Sequence, residues 1–476
     1  MGELFPSLIP ALRRAGRAVW RGLRKFGRAM VYVLPALVLI HLIAVVVTGR
    51  QLQGDIERLT KAGIILPAKD LIPKLPPGAD NAADVYEQAW RALRMSREDD
   101  AALFEQWVKH DAEWLALARR AVAANPEYYR LLDRASRMPH CVFPVDWEAG
   151  VSASFAHFSQ MRQAARMLVL RAHVQAADGG IDQALDSVDT LFRVAEQAKT
   201  DPVIIADLVS YAIQGTGVRA LSEILPTGAP SPGACTSLYD QLDKSDNVAS
   251  SLHTIKGEIV LFGMDVFDWV RSGRVSLTSL MHGEGQVSLG GRPRLWGRLR
   301  TWLLRPVLNA DERVYLSYMG QIVGAFELAW PESRKVTDDA YKWLDTQTPF
   351  YAVVTRAVTP VFRRVIWSRD RATAGIGAAQ IALALNAYRS EHGSYPPSFG
   401  QLEAAGWKLP LDPFGAKAYR YRREGAGFIV WSLGPDMDDD NAARDYDAYQ
   451  KLKAPHGPGQ REDIPEDYDI VFRCRL

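Results

Sequence analysis

Cysteine is scarce in this chain: Cys141, Cys235 and Cys474 are the only three in 476 residues. So few and so scattered, they exclude a disulfide framework and a CxxC metal site, leaving open only a Cys141–Cys235 bridge. Catalytic signatures are missing as well. There is no HExxH, no GxxxxGK(S/T) and no GxSxG, and the GIG at Gly375 lacks a third glycine and a preceding strand. His110 and Glu113 share a helix face, but a single histidine at that spacing reads as a surface contact. Glu327 and Glu332 flank Pro331, which marks a helix end with solvated acids. Acidic residues nearly vanish from the first thirty positions, where one Glu faces seven Lys or Arg. The formal net charge of +2 therefore leaves about −4 for the rest of the chain, so the basicity is local rather than that of a nucleic-acid binder.

What is present is ordinary globular material, 48% apolar and 24% charged, long enough for two or three domains. One stretch departs from that average. Val31 to Val47, VYVLPALVLIHLIAVVV, carries no charge and with Met30 and Thr48 approaches the length that crosses a bilayer. We read residues 30–48 as a transmembrane anchor; a signal peptide is the competing reading, against which stand the length of the run and the lack of an A-x-A site. Arg13, Arg14, Arg17, Arg21, Arg24, Lys25 and Arg28 crowd the near side, so the positive-inside rule predicts a cytoplasmic N-terminus and a bulk outside the inner membrane. Residues 1–29 form a basic amphipathic pattern suited to anionic headgroups, so membrane lipid is an expected partner and nucleic acid is not. His41 and Pro35 inside the span read as tolerated packing features.

Residues 49–80 read as a polar turn of helix and a proline-rich linker, and residues 81–368 as an α-helical domain. Ser96 with Asp99 opens one helix whose apolar face runs through Leu103, Trp107, Trp114, Leu117 and Val122, ending at Asn125 and Pro126. A helical hairpin follows from Ser154 to Lys199 about Gly179 and Gly180, with a third helix from Pro202 to Leu225. It is similar to a tetratricopeptide hairpin, although no 34-residue period recurs. Residues 271–306, rich in Gly, Arg and Ser, read as a flexible basic loop.

Residues 369–476 form the last domain. Ala372 to Ser390 predicts a helix with a small close-packing face, Gly393 its end, and Asp412-Pro413-Phe414-Gly415 a turn. Tyr419 to Trp431 predicts two strands and Ile470 to Phe472 a last one, giving a helix packed on a small antiparallel sheet. Asp436, Asp438, Asp439, Asp440, Asp445 and Asp447 crowd one loop, with Asp467 and Asp469 following. Such a cluster repels itself unless a cation neutralises it, and hard oxygen ligands at alternate positions suit Ca²⁺. On spacing alone, Asp438 and Asp440 are candidate ligands; a solvated acidic loop is the competing reading.

In order, ALNAYRSEHGSYPPSFGQL, LPLDPFGAKAYRYR, GFIVWSLGPDMDDDN and DYDIVFR make the segment from Gln380 to Leu476 resemble the globular half of the major pseudopilin of type II secretion. That resemblance implies an α+β head, a calcium ion in the acidic loop, and Asp436 and Asp469 as further metal ligands. It departs from the family at the other end: Gly27 and Arg28 offer no prepilin-peptidase site, and no acid lies within the span. The expected fold is thus mainly α: one transmembrane helix, an α-helical array and a pseudopilin-like α+β head. The expected role is an envelope scaffold binding other proteins of a secretion or pilus-like apparatus, of unspecified oligomeric state. The alternative is a membrane-tethered hydrolase or carbohydrate-acting protein, which requires a deep pocket with converging acids and a histidine.

Overall fold

The first element in the computed structural model is a single helix of 54 residues, α1 (Leu8–Lys61), in which the basic segment, the apolar span and the polar turn run together. Nothing in the sequence stops it: beyond the first turn, where Pro10 is tolerated, Pro35 is its one proline, and a single interior proline kinks a long helix rather than ending it. From Met30 onward α1 is long and apolar enough to be a membrane span or a signal sequence. Its most apolar stretch is not buried at all, and Tyr32 and Ile40 are 79% and 63% exposed. An apolar helix left bare in this way needs a non-aqueous surround.

The structure describes residues 8–104, 111–275, 295–359, 362–443 and 468–475. These are mostly helical, 70% helix against 5% strand. After α1 come α2 (Ala82–Ala92), α3 (Arg97–Phe104), α4 (Ala112–Ala123), α5 (Pro126–Ser136), α6 (His157–Ala177), α7 (Ile181–Ala198) and α8 (Ile204–Ile224). Then follow α9 (Pro232–Asp243), α10 (Asn247–Gly257), α11 (Met264–Ser272), α12 (Leu295–Phe326), α13 (Trp330–Thr346), α14 (Val353–Val358), α15 (Phe362–His392) and α16 (Phe399–Ala404). Contacts divide the chain into two units: the described parts of Met1–Lys61, Phe267–Leu316 and Pro349–Ala357, and those of Ala62–Val266, Ser317–Thr348 and Val358–Leu476.

In the first unit the buried Asp311 caps α14, its carboxylate accepting from Val354 N at 2.9 Å and Thr355 Oγ1 at 2.6 Å. Arg271 pairs with the buried Glu312. Residues 295–306, expected to lie in a loop, are instead the opening turns of α12. The arginines and glycine that suggested a loop alternate with Leu295, Leu299, Trp302 and Leu303, and that helical spacing prevails. Residues 276–294 lie outside the described ones.

In the second unit α6 and α7 form the expected hairpin, with Gly179 at φ 85° in the turn, and α8 packs on both. The segment read as one helix from Ser96 is two. Ser96 Oγ accepts from Asp99 N at 3.0 Å to start α3, and Asp111 Oδ1 accepts from Trp114 N at 2.9 Å to start α4. Asp111 is an N-cap residue that the apolar periodicity ran across. Cys141, Cys235 and Cys474 are free and buried.

The turn at Asp412 joins β1 (Leu411–Asp412) to β2 (Lys417–Ala418), and a three-stranded antiparallel sheet follows: β3 (Arg420–Glu424), β4 (Gly427–Ser432) and β5 (Ile470–Cys474), in that spatial order. The register pairs Tyr421 with Val430 and Val430 with Phe472. Helix α15 packs on this sheet through Phe428, Val430 and Phe472, and on α8 and α9 with its other flank. Its small residues permit the close approach: a Cβ on Gly377 would come within 2.3 Å of the Tyr419 hydroxyl, which donates to Ala374 O at 3.0 Å.

Candidate functional site

The acidic loop is built on a rigid base. Asp412, 1% exposed, accepts from Phe414 N at 3.0 Å, Ser432 Oγ at 2.8 Å and Leu433 N at 2.9 Å, so one carboxylate ties the β1–β2 turn to the end of β4. Burial pushes its pKa up, against those bonds. Phe414 packs edge-on against Trp330, whose Nε1 donates to Pro435 O at 2.9 Å. The loop therefore leaves β4 in a fixed direction. Gly434 permits the exit: at φ 71° a Cβ there would lie 2.1 Å from Tyr468 O. Met437, Asn441 and Ala442 also hold positive φ, of 63°, 56° and 59°. Left-handed non-glycine residues are costly and persist where the surroundings enforce them, commonly at ligand sites.

Of the four residues expected to hold a metal, Asp436 and Asp440 lie near enough to Asp469 for their charges to act on it. Asp469 is fully buried beside β5, accepting from Ala442 N at 2.8 Å through Oδ2, while its Oδ1 is buried with no hydrogen-bond partner among the described residues. Burial first, and then the charges of Asp439, Asp440 and Asp436, push its pKa up to about 7. Asp440 is half-buried, and its Oδ2 is likewise buried and without a partner among the described residues. Asp436 is half-buried, its Oδ1 accepting from Asp438 N at 3.2 Å. Asp438 is not brought in: it is exposed, and its Oδ1 accepts from Asp439 N at 2.9 Å. Asp439 serves the fold, accepting from Trp431 Nε1 at 3.0 Å and Arg420 Nε at 3.1 Å. Burial raises its pKa, but these bonds outweigh that and hold it below the ordinary range. Among the described residues no three acidic, histidine or cysteine side chains stand close enough to hold a metal as they are. Asp445, Asp447 and Asp467 lie outside the described residues. The orphaned oxygens of Asp440 and Asp469 still fit a hard cation, because a buried carboxylate oxygen without a donor is a strong electrostatic liability.

A second feature was not foreseen from the sequence. A cavity of about 560 Å³ runs beside β5, with Arg166 of α6, Arg219 of α8 and Arg371 of α15 on its walls. Ala212, Gly215, Ala372 and Gly375 keep the helix walls low. Ile470, Val471 and Phe472 all line it, although alternate side chains of a strand point to opposite faces. Phe472 joins the core under α15 and Val471 packs with Ile429 and Trp431 on the other face, so the groove meets β5 along its backbone edge. No described strand pairs with that edge. Among the described residues one carboxylate lines the groove, Glu223, which lies 3.0 Å from His173 Nε2. His110 lies outside the described residues, so its pairing with Glu113 goes unplaced.

No known protein family, curated protein or solved structure matches this chain. The likeness of its last hundred residues to a pseudopilin thus stands on the quoted runs alone.

Proposed function

We propose that this protein is a membrane-anchored extracytoplasmic scaffold that binds other envelope proteins of a type II secretion or pilus-like apparatus, with a calcium-stabilised pseudopilin-like head. The observation that carries the reading is the groove beside β5. An open strand edge offers unpaired backbone donors and acceptors to an extended peptide, which adds as a further strand. Arg166, Arg219 and Arg371 against Glu223 give that groove a positive balance, so the occupant is an extended segment bearing carboxylates. Supporting the head reading are the helix on its small antiparallel sheet, the buried turn at Asp412 and the order of the quoted runs. Seven basic residues before the apolar span support an N-terminus in the cytoplasm, with the remainder beyond the inner membrane.

For the ion, Asp436, Asp440 and Asp469 are the ligands, while Asp438 stays exposed. A bound calcium would neutralise the charge that the loop concentrates around Asp469.

The test is recovery of the detergent-solubilised full chain from its own cells, with mass spectrometry of what accompanies it, beside an Arg219→Glu/Arg371→Glu variant. Secretion-apparatus components recovered with the parent and lost with the variant support the reading. A clean monomer with hydrolytic activity overturns it.

A further inference from the structure

His41 sits in the middle of the charge-free stretch of α1, where a polar ring needs a partner. It has one in the chain itself. His41 Nε2 lies 3.1 Å from Trp302 O, and the two rings meet at a tilt of 53° with 4.1 Å between centroids. Further along, Asn309 Nδ2 donates to Thr48 Oγ1 at 3.2 Å, and Arg313 donates to Gln51 Oε1 and Asp55 Oδ2 at 2.7 Å each. The first two pairs share a sequence offset of 261 residues, and the Arg313 pairs have offsets of 262 and 258. Two helices whose contacts advance together at constant offset run side by side in the same direction. The first half of α12 therefore lies along the apolar part of α1 rather than beyond it.

That half carries its own apolar stripe. Leu299, Leu303 and Val307, spaced by four, are 46%, 53% and 40% exposed. By the same offset they stand level with Val38, Leu42 and Val46 of α1, which are themselves bare. On its flank towards α1, α12 instead presents Trp302 and Asn309, which are the groups that bond to it.

We propose that residues Leu299 to Val307 are embedded in the bilayer beside α1, a second lipid-contacting helix that reaches the membrane from the extracytoplasmic side. The occupant of the exposed stripe is lipid acyl chain, because the stripe continues the bare apolar surface of α1 at the same depth. The proposal rests on α1 being the span. By the same offset Arg300 stands level with Leu39 and Arg305 with Ala44, so the two exposed guanidinium groups require water and headgroups to be drawn in around a segment embedded from one side. His41 then serves to hold α12 at depth: its bond satisfies a ring nitrogen that lipid cannot.

The test places a nitroxide label at Leu303→Cys, with Leu39→Cys as the span reference and Lys408→Cys, on an exposed residue, as the aqueous reference. The three native cysteines are buried, so labelling is confined to the introduced one. In the full chain reconstituted into phospholipid nanodiscs, dissolved oxygen and a water-soluble nickel chelate compete to relax each label. The proposal expects oxygen to dominate at positions 39 and 303 and the chelate to dominate at 408. Chelate dominance at 303 with oxygen dominance at 39 overturns the proposal and leaves the anchor standing. Chelate dominance at 39 overturns both. A His41→Leu variant with the label at 303 adds a readout for the positioning role: loss of the ring bond shifts the label towards the chelate, and no shift removes His41 from the account.

Discussion

The carboxyl of Asp469 makes stability of the head depend on pH in a direction opposite to that of most acids. Its folded pKa of about 7 stands above the ordinary 3.8, so between those values the folded chain holds a proton that the unfolded chain has released. Stability is therefore fully present below about pH 4 and is lost as pH rises through about 7. A tenfold change in proton affinity corresponds to about 1.4 kcal/mol, which bounds the loss at about 4 kcal/mol. Asp436, Asp439 and Asp440 are partly solvated, and screening of their charges brings the expectation to about 2 kcal/mol. For the unit that holds Asp469, about 350 residues, that is a fall in Tm of about 3 °C between pH 5 and pH 8. The assay is thermal melting of the detergent-solubilised full chain with a chelator present. Calcium at about 10 mM should restore the lost stability at pH 8 and add little at pH 5, since it binds the ionised loop. Asp469→Asn, which keeps the shape without the charge, should melt alike at both pH values and ignore calcium. A parent whose chelated Tm does not fall relative to Asp469→Asn, or a variant with the parent's calcium response, would refute the reasoning.

Other substitutions test the parts separately. Asp412→Ala strands three buried donors and should cost about 2 to 4 kcal/mol, read as a lower Tm at pH 7. Gly434→Ala meets both the left-handed backbone and the carbonyl of Tyr468, and should cost at least about 2 kcal/mol while weakening the calcium response. Asp438→Asn, by contrast, should leave the metal-free Tm within about 0.5 kcal/mol of the parent, because that side chain is exposed. Arg219→Glu/Arg371→Glu should reduce partner recovery about tenfold, since reversing charges on a groove wall opposes an acidic occupant.

The helices were legible wherever periodicity and local chemistry agreed. The α6–α7 hairpin announced itself through its apolar spacing and Gly179, and the three strands of the last domain through alternating aromatics bounded by glycines. Where two signals conflicted, composition misled: the arginines and glycine about Leu299 hid the start of α12, and Asp111 was passed over because Trp107 and Trp114 continued the same apolar phase. The acidic loop could be found but not resolved, since spacing treats every Asp alike. Only the fold separates Asp439, bonded to Trp431 and Arg420, from Asp469, buried with an orphaned oxygen. The groove beside β5 and the pairing of His41 with Trp302 join positions far apart in sequence, and no local pattern encodes them.

The most direct measurement for the account as a whole is the side of the membrane on which the bulk of the chain lies. Lys408→Cys, carrying an exposed thiol, is to be treated in intact spheroplasts with a maleimide that cannot cross the inner membrane. The account predicts labelling before lysis, equal to that after it; protection in intact spheroplasts with labelling only after lysis would place this domain in the cytoplasm and contradict the scaffold.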